Sequence, residues 1–181
     1  AHDRVLVAAE GRQPMLDESI ERPLGLAGCD GEEARTVVAD DMGQVHLVEV
    51  VADLRKELGV GPEVKTIIIT NGSLVERPDV EKALERLRSL GGEVWFKLDS
   101  ATREGFERIS STAVDPRVHL ARLARCAALC PTWIQTCVFA TDDQPPEERE
   151  QEAYLDALAG LVRDGVPLKG VLLYGLARPS H

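Results

Sequence analysis

Val64-Lys65-Thr66-Ile67-Ile68-Ile69-Thr70-Asn71-Gly72 is the stretch from which the fold can be read. Its β-branched run reads as a strand, and Asn71-Gly72 as the turn that closes it. On its N-terminal side Leu47, Val50, Val51, Leu54 and Leu58 fall at i, i+3, i+4, i+7 and i+11, one apolar stripe along a helix. Gly59-Val60-Gly61-Pro62 ends that helix. On the C-terminal side Pro78 suits a first helical turn, and Val80, Ala83, Leu84 and Leu87 repeat the stripe. Gly91-Gly92 stops it, and Glu93 to Asp99 reads as the next strand.

The same alternation continues to the end of the chain. Helical periods are expected at about 102–110 and 116–130, the second opening with the cap pair Asp115-Pro116 and carrying Leu120, Leu123, Ala124 and Ala127. Thr132 to Phe139 reads as a third strand. Pro145-Pro146 then leads through Glu147-Glu148 into a helix with Tyr154, Ala157, Leu158 and Leu161, and Leu168 to Tyr174 reads as a fourth strand. Strand and helix in alternation, joined by short links, are the mark of parallel βαβ units. The fold class is α/β with parallel strands; a partial (β/α) barrel and an open doubly wound sheet both satisfy the pattern. Residues 45–181 form this regular part. Residues 1–44 are expected to be an irregular N-terminal segment, with strands at Val5 to Ala8 and Leu24 to Ala27 and a polar, acidic stretch from Asp30 to Asp41.

The formal charge of −10, from 31 acidic and 21 basic residues, disfavours a nucleic-acid partner, because phosphate binding usually requires a basic face. No apolar run is long enough for a membrane span. The four cysteines, Cys29, Cys126, Cys130 and Cys137, do not make a disulfide framework, and the start of the sequence does not read as a signal peptide. The expected location is the cytoplasm. A start at Ala1 without methionine and an end at Pro179-Ser180-His181 read as a piece cut from a longer chain.

In α/β folds reactive groups gather at the C-terminal ends of the strands. Here those ends carry Thr70-Asn71-Gly72-Ser73, then Lys97 and Asp99 on one face of a strand, then Gln135 and Cys137 on one face of another, and finally Tyr174-Gly175. Asn71-Gly72 reads equally well as plain turn chemistry. Lys97 and Asp99 read more readily as an ion pair at a barrel mouth than as a catalytic pair. Gln135 interrupts an apolar strand and leans toward function, since a buried amide needs partners. Cys126, Cys130 and Cys137 read as packing residues rather than a metal site.

Taken in order, these residues resemble a known family. Ile69-Thr70-Asn71-Gly72-Ser73-Leu74, followed by Phe96-Lys97-Leu98-Asp99-Ser100, is similar to the fourth and fifth strands of radical S-adenosylmethionine (SAM) barrels. Phe106 to Ser110, Trp133-Ile134-Gln135-Thr136, Pro145-Pro146-Glu147-Glu148 and Leu173 to Pro179 resemble later motifs of that family in the right order, over roughly residues 45–180. The resemblance implies the later part of a (β/α) barrel that binds SAM and a 4Fe–4S cluster and cleaves SAM reductively to a 5′-deoxyadenosyl radical. It implies Thr70 and Asn71 near the SAM ribose, Lys97 and Asp99 near its polar groups, and Gln135 and Tyr174 lining the cavity. Glu32, in Gly28-Cys29-Asp30-Gly31-Glu32-Glu33, is the nearest match to the glycine-rich motif that holds the SAM amino group.

The chain departs from the family where the cluster would be held. It contains no C-x3-C-x2-C triplet; Cys126-x3-Cys130 has the first spacing, but Trp133 stands where a third cysteine would fall. Taken alone, the chain is expected to be inactive in radical chemistry. Three readings follow: a radical SAM enzyme represented by an incomplete chain, a degenerate non-catalytic barrel used for binding or assembly, and an unrelated α/β small-molecule binder. The substrate is not legible in any of them. An incomplete barrel is also expected to self-associate through its exposed edge.

Overall fold

The computed structural model describes residues 35–38, 44–110, 113–140 and 144–175. The strands expected at 5–8 and 24–27, the Gly28 to Glu33 segment with Glu32, and Ala177-Arg178-Pro179 lie outside the described residues.

Strands and helices alternate as β1 (Arg35–Val38), α1 (Gln44–Glu57), β2 (Thr66–Thr70), α2 (Pro78–Ser89), β3 (Glu93–Lys97), α3 (Arg103–Ser110), α4 (Pro116–Leu129), β4 (Thr132–Cys137), α5 (Glu148–Arg163) and β5 (Leu168–Tyr174). Local chemistry sets these boundaries. Pro78 opens α2 and Pro116 opens α4, where the missing N–H costs nothing. Asp115 caps α4 by accepting the Arg117 N–H at 2.8 Å. Gly91, at φ +73°, turns the chain out of α2, and the Gly92 N–H returns to the Leu87 carbonyl.

Among the described residues all the strand pairs are parallel, and the order is β1-β2-β3-β4-β5. β1 falls inside the acidic stretch that the sequence pattern left irregular, and it pairs Arg35 to Val38 with Thr66 to Ile69. A sheet in strictly sequential order lacks the reversal of a doubly wound sheet. Right-handed crossovers in such a sheet all return on one face. Burial agrees with this. Ile68, Val94, Phe96, Leu98 and Ile134 are buried on the helix side, packed with Val80, Leu84, Leu87, Phe106, Leu123, Cys126 and Leu161. Each fully buried side chain of this kind contributes about 1.5–3 kcal/mol.

The other face carries Ile67, Ile69, Glu93, Trp95, Lys97, Trp133, Gln135, Cys137, Leu172 and Tyr174, placed by the strand registers. Apart from Ile67 and Glu93, these residues are only half-buried. The register slips at Thr132/Trp133, so that Gly170 lies opposite Trp133. Among the described residues, no helix is long and apolar enough to cross a membrane.

Candidate functional site

The face that carries no helix among the described residues is polar at the C-terminal ends of β3, β4 and β5. Leu98 points to the core and is fully buried, which turns its neighbours Lys97 and Asp99 to the opposite face. The Lys97 Nζ stands 3.4 Å from the Asp99 Oδ2. Asp99 Oδ1 accepts the backbone N–H of Cys137 at 2.8 Å, so this carboxylate also ties the end of β3 to the end of β4. The side chain of Asp99 is only 14% exposed and that of Lys97 is 43% exposed. The acid is therefore fixed, while the ammonium keeps donors free toward solvent.

Tyr174 and Cys137 pair in register at the top of β4 and β5 and complete the cluster. Burial alone would depress the Lys97 ammonium, but the Asp99 carboxylate and the Tyr174 hydroxyl beside it outweigh this and raise its pKa. Burial pushes the Tyr174 hydroxyl up, and burial with the nearby Asp99 charge pushes the Cys137 thiol up. Near neutral pH the lysine is thus charged and the tyrosine and thiol are protonated. None of the three is tuned toward the neutral range that proton-transfer catalysis favours. The arrangement suits binding: an ammonium, a fixed carboxylate and a hydroxyl in one patch. Gln135, one strand over from Lys97, is half-buried on the same face, and its amide makes no hydrogen bond among the described residues.

Thr70 and Asn71 stand apart from this cluster. Thr70 pairs with Phe96 and so faces the helices, and its Oγ1 accepts the Gly72 N–H at 3.0 Å. Asn71 Oδ1 accepts the Ser73 N–H at 3.0 Å, a side-chain turn exposed to solvent. Gly72, at φ +67°, rests on the Phe96 ring, where an added Cβ would come within 2.5 Å. The structure therefore brings together Lys97, Asp99, Gln135 and Tyr174 and gives Thr70 and Asn71 a turn-forming role. Glu32 lies outside the described residues.

His119 supports the site from below, and the sequence pattern passed over it. It is buried on α4, and its Nε2 lies 2.8 Å from the Lys97 carbonyl oxygen. A carbonyl only accepts, so Nε2 carries the proton. The ring sits 4.9 Å from both Phe96 and Phe106. The available signal was its spacing, since His119, Leu123, Cys126 and Ala127 form one buried stripe. A second support comes from α5. Glu150 accepts from the Thr102 Oγ1 at 3.1 Å and pairs with Arg108, which braces the loop after β3.

The floor of the same face is a separate network. Trp133 Nε1 donates to Glu93 Oε2 at 3.1 Å and Lys65 Nζ donates to Glu93 Oε1 at 2.8 Å. These groups satisfy one another beneath the open cluster.

The described cysteines do not fit an iron–sulfur cluster. Cys126 and Cys130 are buried in the core, and burial pushes both thiols up to about 12, whereas a ligand must be a thiolate. Among the described residues, no three His, Cys, Asp or Glu side chains come together as a metal site. Comparison with protein-family models, with curated proteins and with solved structures finds no match to this chain.

Proposed function

We propose that this chain is the later part of a (β/α) barrel of the radical SAM type, and that its strand ends bind the methionyl end of SAM. The observation that supports this reading is the Lys97–Asp99 pair, held on the open face with Asp99 fixed and Lys97 accessible. The methionyl group carries a carboxylate and an ammonium, and the pair offers one charge of each sign to meet them. Gln135 and Tyr174 add polar groups at the rim. Sequential strand order, with one face free of helices among the described residues, is the arrangement expected of a barrel arc.

No radical step follows from these residues, because the described cysteines do not fit the cluster. A second reading is a degenerate, non-catalytic barrel that serves as a binding or assembly module. The two readings separate on whether 5′-deoxyadenosine forms once cluster ligands are supplied. The chain's two tryptophans, Trp95 and Trp133, pair in register on the open face, one layer below Lys97 and Gln135. Their emission provides the test. Saturable change on titration with SAM supports binding at this face, and an unchanged spectrum together with no retention of SAM in equilibrium dialysis rejects it.

A further inference from the structure

α5 carries a second apolar stripe that its own sheet does not use. Tyr154, Leu158 and Leu161 face the core. Leu155, Ala159 and Val162, at i, i+4 and i+7, form another stripe roughly a third of a turn around the helix. Leu155 is 62% exposed and Val162 75% exposed. Glu150, which reaches α3, lies on the opposite flank, so this stripe looks away from α3 and toward the β5 side of the sheet. There the helix-side face of β5 is also uncovered among the described residues: Val171 and Leu173 pair in register with the buried Ile134 and Thr136, yet Leu173 is 61% exposed. β5 is an outer strand, with one edge unpaired among the described residues. An apolar stripe, an apolar sheet face and an open edge thus meet along one border of the molecule.

We infer that this border is a two-fold interface with a second copy of the chain, β5 pairing antiparallel with β5 and α5 packing antiparallel against α5. Charge selects this occupant. The outer flank of α5 carries Glu148, Glu152 and Asp156, with Arg149 as the one basic residue among them, and ends with Arg163. An antiparallel partner lays the acidic end of one helix beside the basic end of the other, so the same surface is its own complement. Arg163 forms no ion pair among the described residues. Ala159, small and near the middle of the stripe, permits close approach of the two helices. The edge is compatible as well. Pairing centred on Val171 sets Lys169 opposite the partner's Leu173, so the strand's only charge does not meet itself. One partner thereby covers the edge and the apolar surface together.

Sedimentation velocity on the full 181-residue chain tests the inference. The parent is expected to be a dimer. Val162→Glu and Arg163→Glu should each weaken it, by about tenfold or more for a charge placed in a packed interface. The double variant Glu152→Arg/Arg163→Glu should recover association relative to Arg163→Glu. These two positions lie about 16 Å apart along a helix, so recovery can only arise between chains. Circular dichroism confirms that the variants fold, as is expected of changes at exposed positions. A monomeric parent, an open-ended polymer, a dimer indifferent to Val162→Glu, or a charge swap without recovery each overturns the inference.

Discussion

The imidazole of His119 donates its Nε2 hydrogen to the carbonyl oxygen of Lys97 at 2.8 Å, joining the middle of the protein's core to the residue that presents the open ammonium. The ring has two phenyl neighbours and one hydrogen bond, so it is built to stay neutral. Burial lowers its pKa from 6.5 and the nearby Arg122 charge adds to this, while the Lys97 carbonyl and Asp99 oppose it.

That relationship gives a pH dependence with a definite sign. Below pH 6.5 the unfolded chain takes up a proton on His119 before the folded chain does. The stability due to the neutral ring is complete above pH 6.5 and is lost as the pH falls through the depressed folded value. Urea unfolding between about pH 7.5 and 5, the range in which an ordinary histidine titrates, should show stability falling with pH, with a shallower slope in His119→Phe. Equal slopes in the two proteins would mean that His119 does not titrate as described.

Gly170 is set against the Trp133 ring. Its φ is +149°, and an added Cβ would come within 2.8 Å of the indole. Gly170→Ala should destabilise the chain by about 1–3 kcal/mol through strain and overpacking. Guanidinium unfolding checks this; an unchanged midpoint would contradict the close approach at the β4–β5 register slip.

Thr136 bonds on two sides, donating to the Leu98 carbonyl at 2.9 Å and meeting the Tyr154 hydroxyl at 2.6 Å. Thr136→Val leaves a buried carbonyl without its partner and should cost about 1–3 kcal/mol, against about 1 kcal/mol for Tyr154→Phe. The order of the two effects is the test, read by thermal unfolding. A larger loss from Tyr154→Phe would place the weight of this bond elsewhere.

Buried thiols are poor nucleophiles. Cys126 and Cys130, with thiols pushed up to about 12, should resist alkylation at pH 8 until the chain unfolds. Mass spectrometry of peptides after native labelling reads this directly. Rapid modification of either residue in the folded chain would contradict its placement in the core.

The regular part of the fold was legible because two periodicities agree with their punctuation. The stripe Val80, Ala83, Leu84, Leu87 is the buried face of α2, and Gly91-Gly92 ends it. Lys97 and Asp99 could be placed on one face from their spacing alone, and they meet there. β1 was not legible, since Arg35–Val38 is too short to show an alternation and sits among acidic residues. The turn role of Thr70 and Asn71 was open in the sequence, because Asn-Gly serves turns and ligands alike. Only the pairing of Thr70 with Phe96 turns it toward the helices. The support from His119 escaped because a histidine within an apolar stripe reads as one more core position. The braces from Glu150 and Cys137 depend on contacts between residues distant in sequence, which periodicity does not reveal.

The central claim is that the Lys97–Asp99 pair binds the methionyl end of SAM. Isothermal titration of the parent chain and of Lys97→Ala and Asp99→Asn with SAM tests it most directly. The parent should bind. Each variant should bind more weakly by about tenfold or more, the usual loss on removing one partner of a charge-assisted hydrogen bond, 1.5–3 kcal/mol. No heat of binding in the parent, or equal affinity in parent and Lys97→Ala, would contradict the account.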